Sequence, residues 1–224
     1  MEQLLVKINV SSDFYLKNPD ESKLGRTIVS NSIELIHTLG FEAFTIKKLS
    51  TKIGSPESSI YRYFESKHMI LVYLIQWYWT WIEYRLVFAL NNLASSELKL
   101  KMAIKVLTET IEEDSSFSHI NEIILDKIII TEAVKAYFSK YSIHDSTEAN
   151  FAAYTRVVQR VSIIVLEIKS SYQFSHMLIS TVIEGSHQQR FFAKNLPSLT
   201  DVNPDEEYIT KFYTQLVFNS LQIK

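Results

Sequence analysis

The sequence predicts an all-α chain: a small head of three helices containing a helix-turn-helix, followed by a larger helical body. Three observations predict it. Between Glu57 and Glu184 there is neither a Gly nor a Pro, which over so long a stretch leaves little but helices joined by short polar turns. Apolar residues recur at intervals of three and four along most of the chain, the period of an amphipathic helix. With 224 residues, 46% of them hydrophobic, the chain can bury a substantial core as one large or two small domains.

The elements follow in order. Residues 1–22 form an N-terminal arm in which VKINVSSDFYL alternates somewhat like a strand and Lys17 to Ser22 reads as a polar linker around Pro19. The arm is expected to fold against the body or to be partly disordered. Leu24 to Leu39 is a helix with Ile28, Leu35, Ile36 and Leu39 on one side, and Gly40 followed by Phe41 has the form of a C-terminal cap with its hydrophobic contact. Thr45 can N-cap a second helix striped by Ile46, Leu49 and Ile53. Gly54 stands where that helix must stop, since Gly turns left-handed without steric cost. Ser55 as N-cap and Pro56 at the first helical position announce a third helix. Its Ile60 and Phe64 face inward, leaving Glu57, Ser58, Ser59, Arg62, Tyr61 and Tyr63 on or beside the outward face. A recognition helix presents such a face to the major groove. An ordinary αα-hairpin has the same spacing.

Downstream, Ser66 caps a long helix reaching Asn92, with Lys67 in its first turn. A cation is unfavourable at a helix N-terminus, so Lys67 requires another partner, and a phosphate would supply one. Polar breaks then delimit helices at Ser95 to Glu113, Phe117 to Tyr141, Thr147 to Ser170, Phe174 to Asn195 and Pro204 to Leu221, with a break at Ser142 to Ser146. The domain division expected is 23–65 for the head and 66–224 for the body.

The run from Ile28 to Ile75, and above all SSIYRYFESKHMIL within it, resembles the TetR/AcrR family of bacterial transcriptional regulators, over about a fifth of the chain. The resemblance implies an N-terminal helix-turn-helix DNA-binding domain and a larger helical effector-binding and dimerisation domain. It implies that Thr45, Tyr61, Tyr63 and Lys67 touch the DNA backbone, and that Lys47, Glu57, Ser58, Ser59 and Arg62 face base edges. Two positions depart from the pattern: Ser55 stands where an apolar residue is common, and Glu57 where a Lys or neutral residue is. Glu57 can accept from cytosine in the major groove; complementing the dipole of its own helix is the reading favoured.

The long helix holds QWYWTWIEYRLVF, in which Trp77, Trp81 and Tyr84 share a face that Tyr73 and Phe88 extend. These five are candidates for a hydrophobic effector pocket, for an apolar or aromatic ligand, and equally for core packing. The family pairs its last two helices with those of a second copy. Here Met177, Val182, Phe191 and Phe192, with Ile209, Phe212, Tyr213, Leu216, Val217 and Leu221, supply more apolar surface than two helices need between themselves.

Composition bounds the rest. From Lys23 to Val72 there are seven Lys and Arg against four Glu, whereas residues 73–224 hold fourteen against seventeen acids. This suits a DNA-facing head on an acidic body. Without cysteine there are no disulfides or thiolate metal sites, which agrees with a cytoplasmic setting. No signal peptide or membrane span is expected. The histidines form no i, i+4 pair, no phosphate loop or nucleophile elbow occurs, and Glu112, Glu113 and Asp114 read as a solvated helix end. No enzyme, metal or cofactor is expected. The function expected is a ligand-responsive repressor binding a palindromic operator as a homodimer. The alternative is a helical protein that has lost operator binding and acts through protein contacts.

Overall fold

The computed structural model of the chain describes residues 7–113, 117, 119–137, 149–202 and 207–223. Among these, helices α1 (Lys23–Ala43), α2 (Ile46–Ile53), α3 (Glu57–Ile60), α4 (Lys67–Leu90), α5 (Ser96–Thr108), α6 (Glu122–Tyr137), α7 (Ala152–Ile168), α8 (Ser175–Asn195) and α9 (Tyr208–Leu221) follow one another without a strand. The all-α expectation holds. Helix α5 stops at Thr108 and α6 starts at Glu122, so both are shorter than the sequence pattern suggested. The break at Ser142 to Ser146 and the Pro204 start lie outside the described residues, as does Asp114. No helix among the described residues is long and apolar enough to cross a membrane.

Two compact units form, Met1–Thr80 with Ile111–Ala152, and Trp81–Thr110 with Ala153–Lys224. Packing thus groups residues 111–152 with the N-terminal residues. The reason lies in the first unit, where α6 packs on α1 and joins the head, a pairing of distant segments that no local pattern announces.

In the first unit the described residues of the arm, 7–22, form no strand but two 3₁₀ turns, at Ser12–Phe14 and Pro19–Glu21. Ile8, Phe14 and Pro19 are buried, so the described part of the arm packs down. Where contact with the body was expected, it meets the head at Gly25 and Tyr63 as well as Tyr73 of α4. Gly25 permits this, because a Cβ there would collide with the backbone of Pro19. Ser22 N-caps α1 by accepting from Gly25 N–H at 3.0 Å. Ile28, Val29, Ile33 and Ile36 of α1 are at most 1% exposed. At Gly40 (φ 75°, ψ 157°) the helix kinks and makes one further turn to Ala43, so Gly40 serves as a hinge within α1 where a terminal cap was expected. The first part of α4 is buried on every side, from Met69 through Trp79, which a strand of water-facing residues on one face would have forbidden.

In the second unit α5 packs on α8 and α9, and α8 on α9. The Thr108 and Thr210 hydroxyls bond at 2.8 Å. Gly185 lets Tyr213 cross close over α8, since its Cβ would meet the Tyr213 hydroxyl. Arg85 bonds the Glu109 carboxylate at 2.6 Å, and Arg190 bonds the Glu109 carbonyl at 3.3 Å.

Candidate nucleic-acid interface

The helix-turn-helix forms as its spacing demands. Thr45 caps α2 by accepting from Lys48 N–H at 3.2 Å. Gly54 (φ 65°, ψ 31°) ends it, its N–H reaching the carbonyls of Ser50 and Thr51. Ile46, Leu49, Ile60 and Phe64 are buried and fix the angle between the helices. The third helix starts one residue later than its signals suggested: Pro56 occupies the N-cap position, and no side chain caps the end. Glu57 lies in the first turn of α3, where its charge complements the helix dipole.

The expected contact residues divide by exposure. Thr45, Lys47, Ser58, Tyr61 and Arg62 are exposed, and Glu57 and Ser59 are half-buried, so polar side chains reach water from both α2 and α3 and from the residues that flank them. Tyr63 differs from the expectation of a backbone contact. It is 3% exposed, and its hydroxyl lies 2.7 Å from Ser22 Oγ. Its carbonyl accepts from Leu16 N–H at 2.8 Å, and Lys17 Nζ sits over its ring. Tyr63 thus clasps the arm to the end of the reading unit.

Lys67 is also committed inside the protein. Its Nζ donates to the carbonyls of Phe41, Glu42 and Phe44, each at 3.1 Å, and lies 4.7 Å from the centre of the Phe41 ring. Those carbonyls end α1, where a helix presents its negative pole. The cation misplaced on its own helix is well placed on its neighbour. Beside it, burial first and the Lys67 charge second hold His68 below the usual histidine range.

The aromatic candidates for an effector pocket fall differently from expectation. Tyr73, Trp77 and Trp81 are each 1% exposed. Tyr73 meets Phe64 and Tyr15 edge-on, and Trp77 meets Phe117 the same way. These three are core. Tyr84 is half-buried beside Phe88, which is 75% exposed. An open cleft of about 480 Å³ instead uses the neighbouring face of α4, with Glu83, Val87 and Leu90 opposite Arg156 and Arg160 of α7. The sequence reading missed it. Arg156 and Arg160 are spaced for one helix face, but their partner Glu83 is more than seventy residues away.

The dimer candidates separate as well. Val182, Tyr213, Val217 and Leu221 are at most 5% exposed and hold their own unit together. Met177, Phe191, Phe212 and Leu216 are 68%, 41%, 55% and 38% exposed, with Phe192 and Ile209 between the two groups.

An all-α chain with a capped helix-Gly turn-helix near its N-terminus and a polar surface along both helices defines the helix-turn-helix class of DNA-binding proteins. Residues 28–74 match the family model of the bacterial regulatory proteins of the tetR family. No curated protein sequence matches it. Among solved structures, it is similar to the superantigen PfiT, at TM-score 0.60 and 15% identity over 91% of this chain and 97% of that one. It is also similar to the fatty acid degradation regulator FadR from Bacillus halodurans, at TM-score 0.60 and 12% identity over 93% and 96%. AibR, in complex with isovaleryl coenzyme A and operator DNA, gives TM-score 0.58 and 12% identity over 86% and 97%. At such identities the likeness is one of fold.

Proposed function

We propose that the protein is a cytoplasmic transcriptional regulator, not an enzyme, which binds a palindromic operator as a homodimer and is released from it by a small-molecule effector. The observation that carries this reading is the exposed row of Thr45, Lys47, Ser58, Tyr61 and Arg62 on a head whose backbone is fixed by Gly54, Tyr63 and Lys67. Lys47 and Arg62 supply the charge for phosphates or base edges. Met177, Phe191, Phe212 and Leu216 give α8 and α9 an apolar outer surface that a second copy would cover. A palindrome read by such heads requires two of them about 34 Å apart, and the AibR complex is a precedent for effector and operator on one fold.

The test is selection of bound duplexes from a random pool by the full chain. A palindromic enriched motif with steeply salt-dependent affinity is expected. Failure to enrich any motif refutes operator reading and favours a protein acting through protein contacts, as Glu57 in an uncapped, four-residue α3 would suit. Sedimentation of Phe212→Glu should show monomer where the parent chain is dimer; a monomeric parent refutes the dimer.

A further inference from the structure

We propose that the cleft formed by the C-terminal end of α4, the start of α5 and α7 binds an amphipathic anion, a carboxylate or phosphate head on an aliphatic chain. Its place as the effector rests on the regulatory reading above, whereas its binding does not.

The cleft joins two surfaces that water solvates poorly together. Arg156 and Arg160 lie one turn apart on α7 and would repel each other. A single carboxylate holds both: Glu83 accepts from Arg156 Nε at 2.8 Å and from an Arg160 terminal nitrogen at 3.0 Å. One carboxylate balances one of two guanidiniums, and each guanidinium has five N–H donors in a fixed fork. The side chains of Arg156 and Arg160 remain 51% and 44% exposed, while that of Glu83 is 14% exposed beneath them. Lys99 adds a third cation to the lining, and the remaining carboxylate, Glu167, takes the Ser96 hydroxyl at 2.7 Å. The cleft is cationic by one charge within an acidic body.

Beside this charge runs an aliphatic strip. Val87 and Ile163 are 47% and 46% exposed, Leu90 is half-buried, and Ile164 lies buried at 6%. Exposed branched aliphatics next to surplus guanidinium match a ligand with an anionic head and an alkyl chain, because the fork suits planar oxyanions and the strip gains by leaving water. The volume, about 480 Å³, falls within the range of roughly 300–1,000 Å³ usual for small-molecule sites. An uncharged aromatic ligand would leave the arginines unused. A cationic one would be repelled by them.

Isothermal calorimetry on the full chain, without DNA and below micelle concentrations, tests this with dodecanoate, dodecyl phosphate, dodecanol and dodecyltrimethylammonium. At least one of the two anions should bind ten-fold or more tighter than the alcohol and the cation, and the tighter of the two identifies the head group. Glu83→Gln frees both arginines and should tighten that anion several-fold. Arg156→Gln combined with Arg160→Gln should abolish the preference for it. Ile163→Glu, at an exposed position that tolerates the change, should weaken it ten-fold or more, which keeps the test open if the double variant fails to fold. A purely structural ion pair predicts no tighter anion binding in Glu83→Gln. Equal affinity for anion and alcohol, or anion affinity unmoved by both Glu83→Gln and Ile163→Glu, overturns the proposal. A second arm adds the tighter anion to the operator complex. If the anion binds the free chain but leaves the complex intact, the site stands and its effector role is refuted; failure to bind any DNA refutes the regulatory reading alone.

Discussion

Replacing Lys67 by Met separates two explanations of a residue that the family resemblance assigns to DNA. Its ammonium group donates to three carbonyls at 3.1 Å and lies over the Phe41 ring. Hydrogen bonds to a charged group contribute about 1.5–3 kcal/mol when well shielded. Here the group is half-buried and water can replace it at the Glu42 carbonyl, so the sum is discounted to about 2 kcal/mol. For a chain of this size, 1 kcal/mol moves the melting temperature by roughly 2–4 °C. Lys67→Met is therefore expected to melt about 4–8 °C lower. Differential scanning calorimetry reads this directly. In parallel, the slope of log affinity for duplex DNA against log salt should stay unchanged, because a cation spent on carbonyls releases no counterion from phosphate. A phosphate contact would instead reduce the slope by about 0.9 per protomer, about 1.8 for the dimer. Unchanged melting with a slope reduced by about 0.9 per protomer would refute the structural role and restore Lys67 to the DNA-contacting set.

The remaining predictions concern the head and α8. Tyr63→Phe loses only the bond to Ser22 Oγ and should cost about 1 kcal/mol in urea unfolding, with the salt slope of DNA binding preserved; a reduced slope would show that the hydroxyl reaches phosphate. Gly54→Ala should cost about 1 kcal/mol, since the strain is in φ alone and no atom lies within 4 Å of the added Cβ; a loss several times larger would mean that the turn packs more closely than this. His187, 7% exposed, is held neutral by burial and secondarily by the Arg190 charge, with a pKa of about 3 against an ordinary 6.5. The unfolded chain binds a proton below 6.5 that the folded chain refuses until about 3, so the stability from this group is complete above pH 6.5 and falls as pH drops towards 3. Between pH 7 and 5 the loss should be about 2 kcal/mol, and His187→Gln should remove it; an equal pH dependence in that variant would assign it elsewhere.

How much was legible depended on whether the cause was local. The cap at Thr45, the left-handed turn at Gly54 and the burial of Ile60 and Phe64 each follow from chemistry within a few residues, and each could be read before any fold was known. Gly40 was half legible: a break was visible, but whether the chain leaves the helix or kinks and continues is decided by what packs around Phe41. Of the residues expected on or beside the outward face of α3, Ser58, Tyr61 and Arg62 are exposed, Glu57 and Ser59 are half-buried, and Tyr63 is buried. Tyr61 and Tyr63, only two positions apart, differ in exposure because the arm folds back onto one of them. The aromatic face of α4 read as core or as pocket from sequence alone, since both require large apolar side chains at one helical spacing.

The sequence by itself determined the all-α class, the order of the helices and the helix-turn-helix, because periodicity, caps and glycines act over one or two turns. Only the tertiary structure decided that α6 joins the head, that Lys67 and Tyr63 serve the protein's interior, and that the open cleft lies beside Glu83 and not beside the tryptophans. Each of these is a meeting of residues tens of positions apart. Its energy comes from desolvation and charge pairing between surfaces that come together only when the chain has folded.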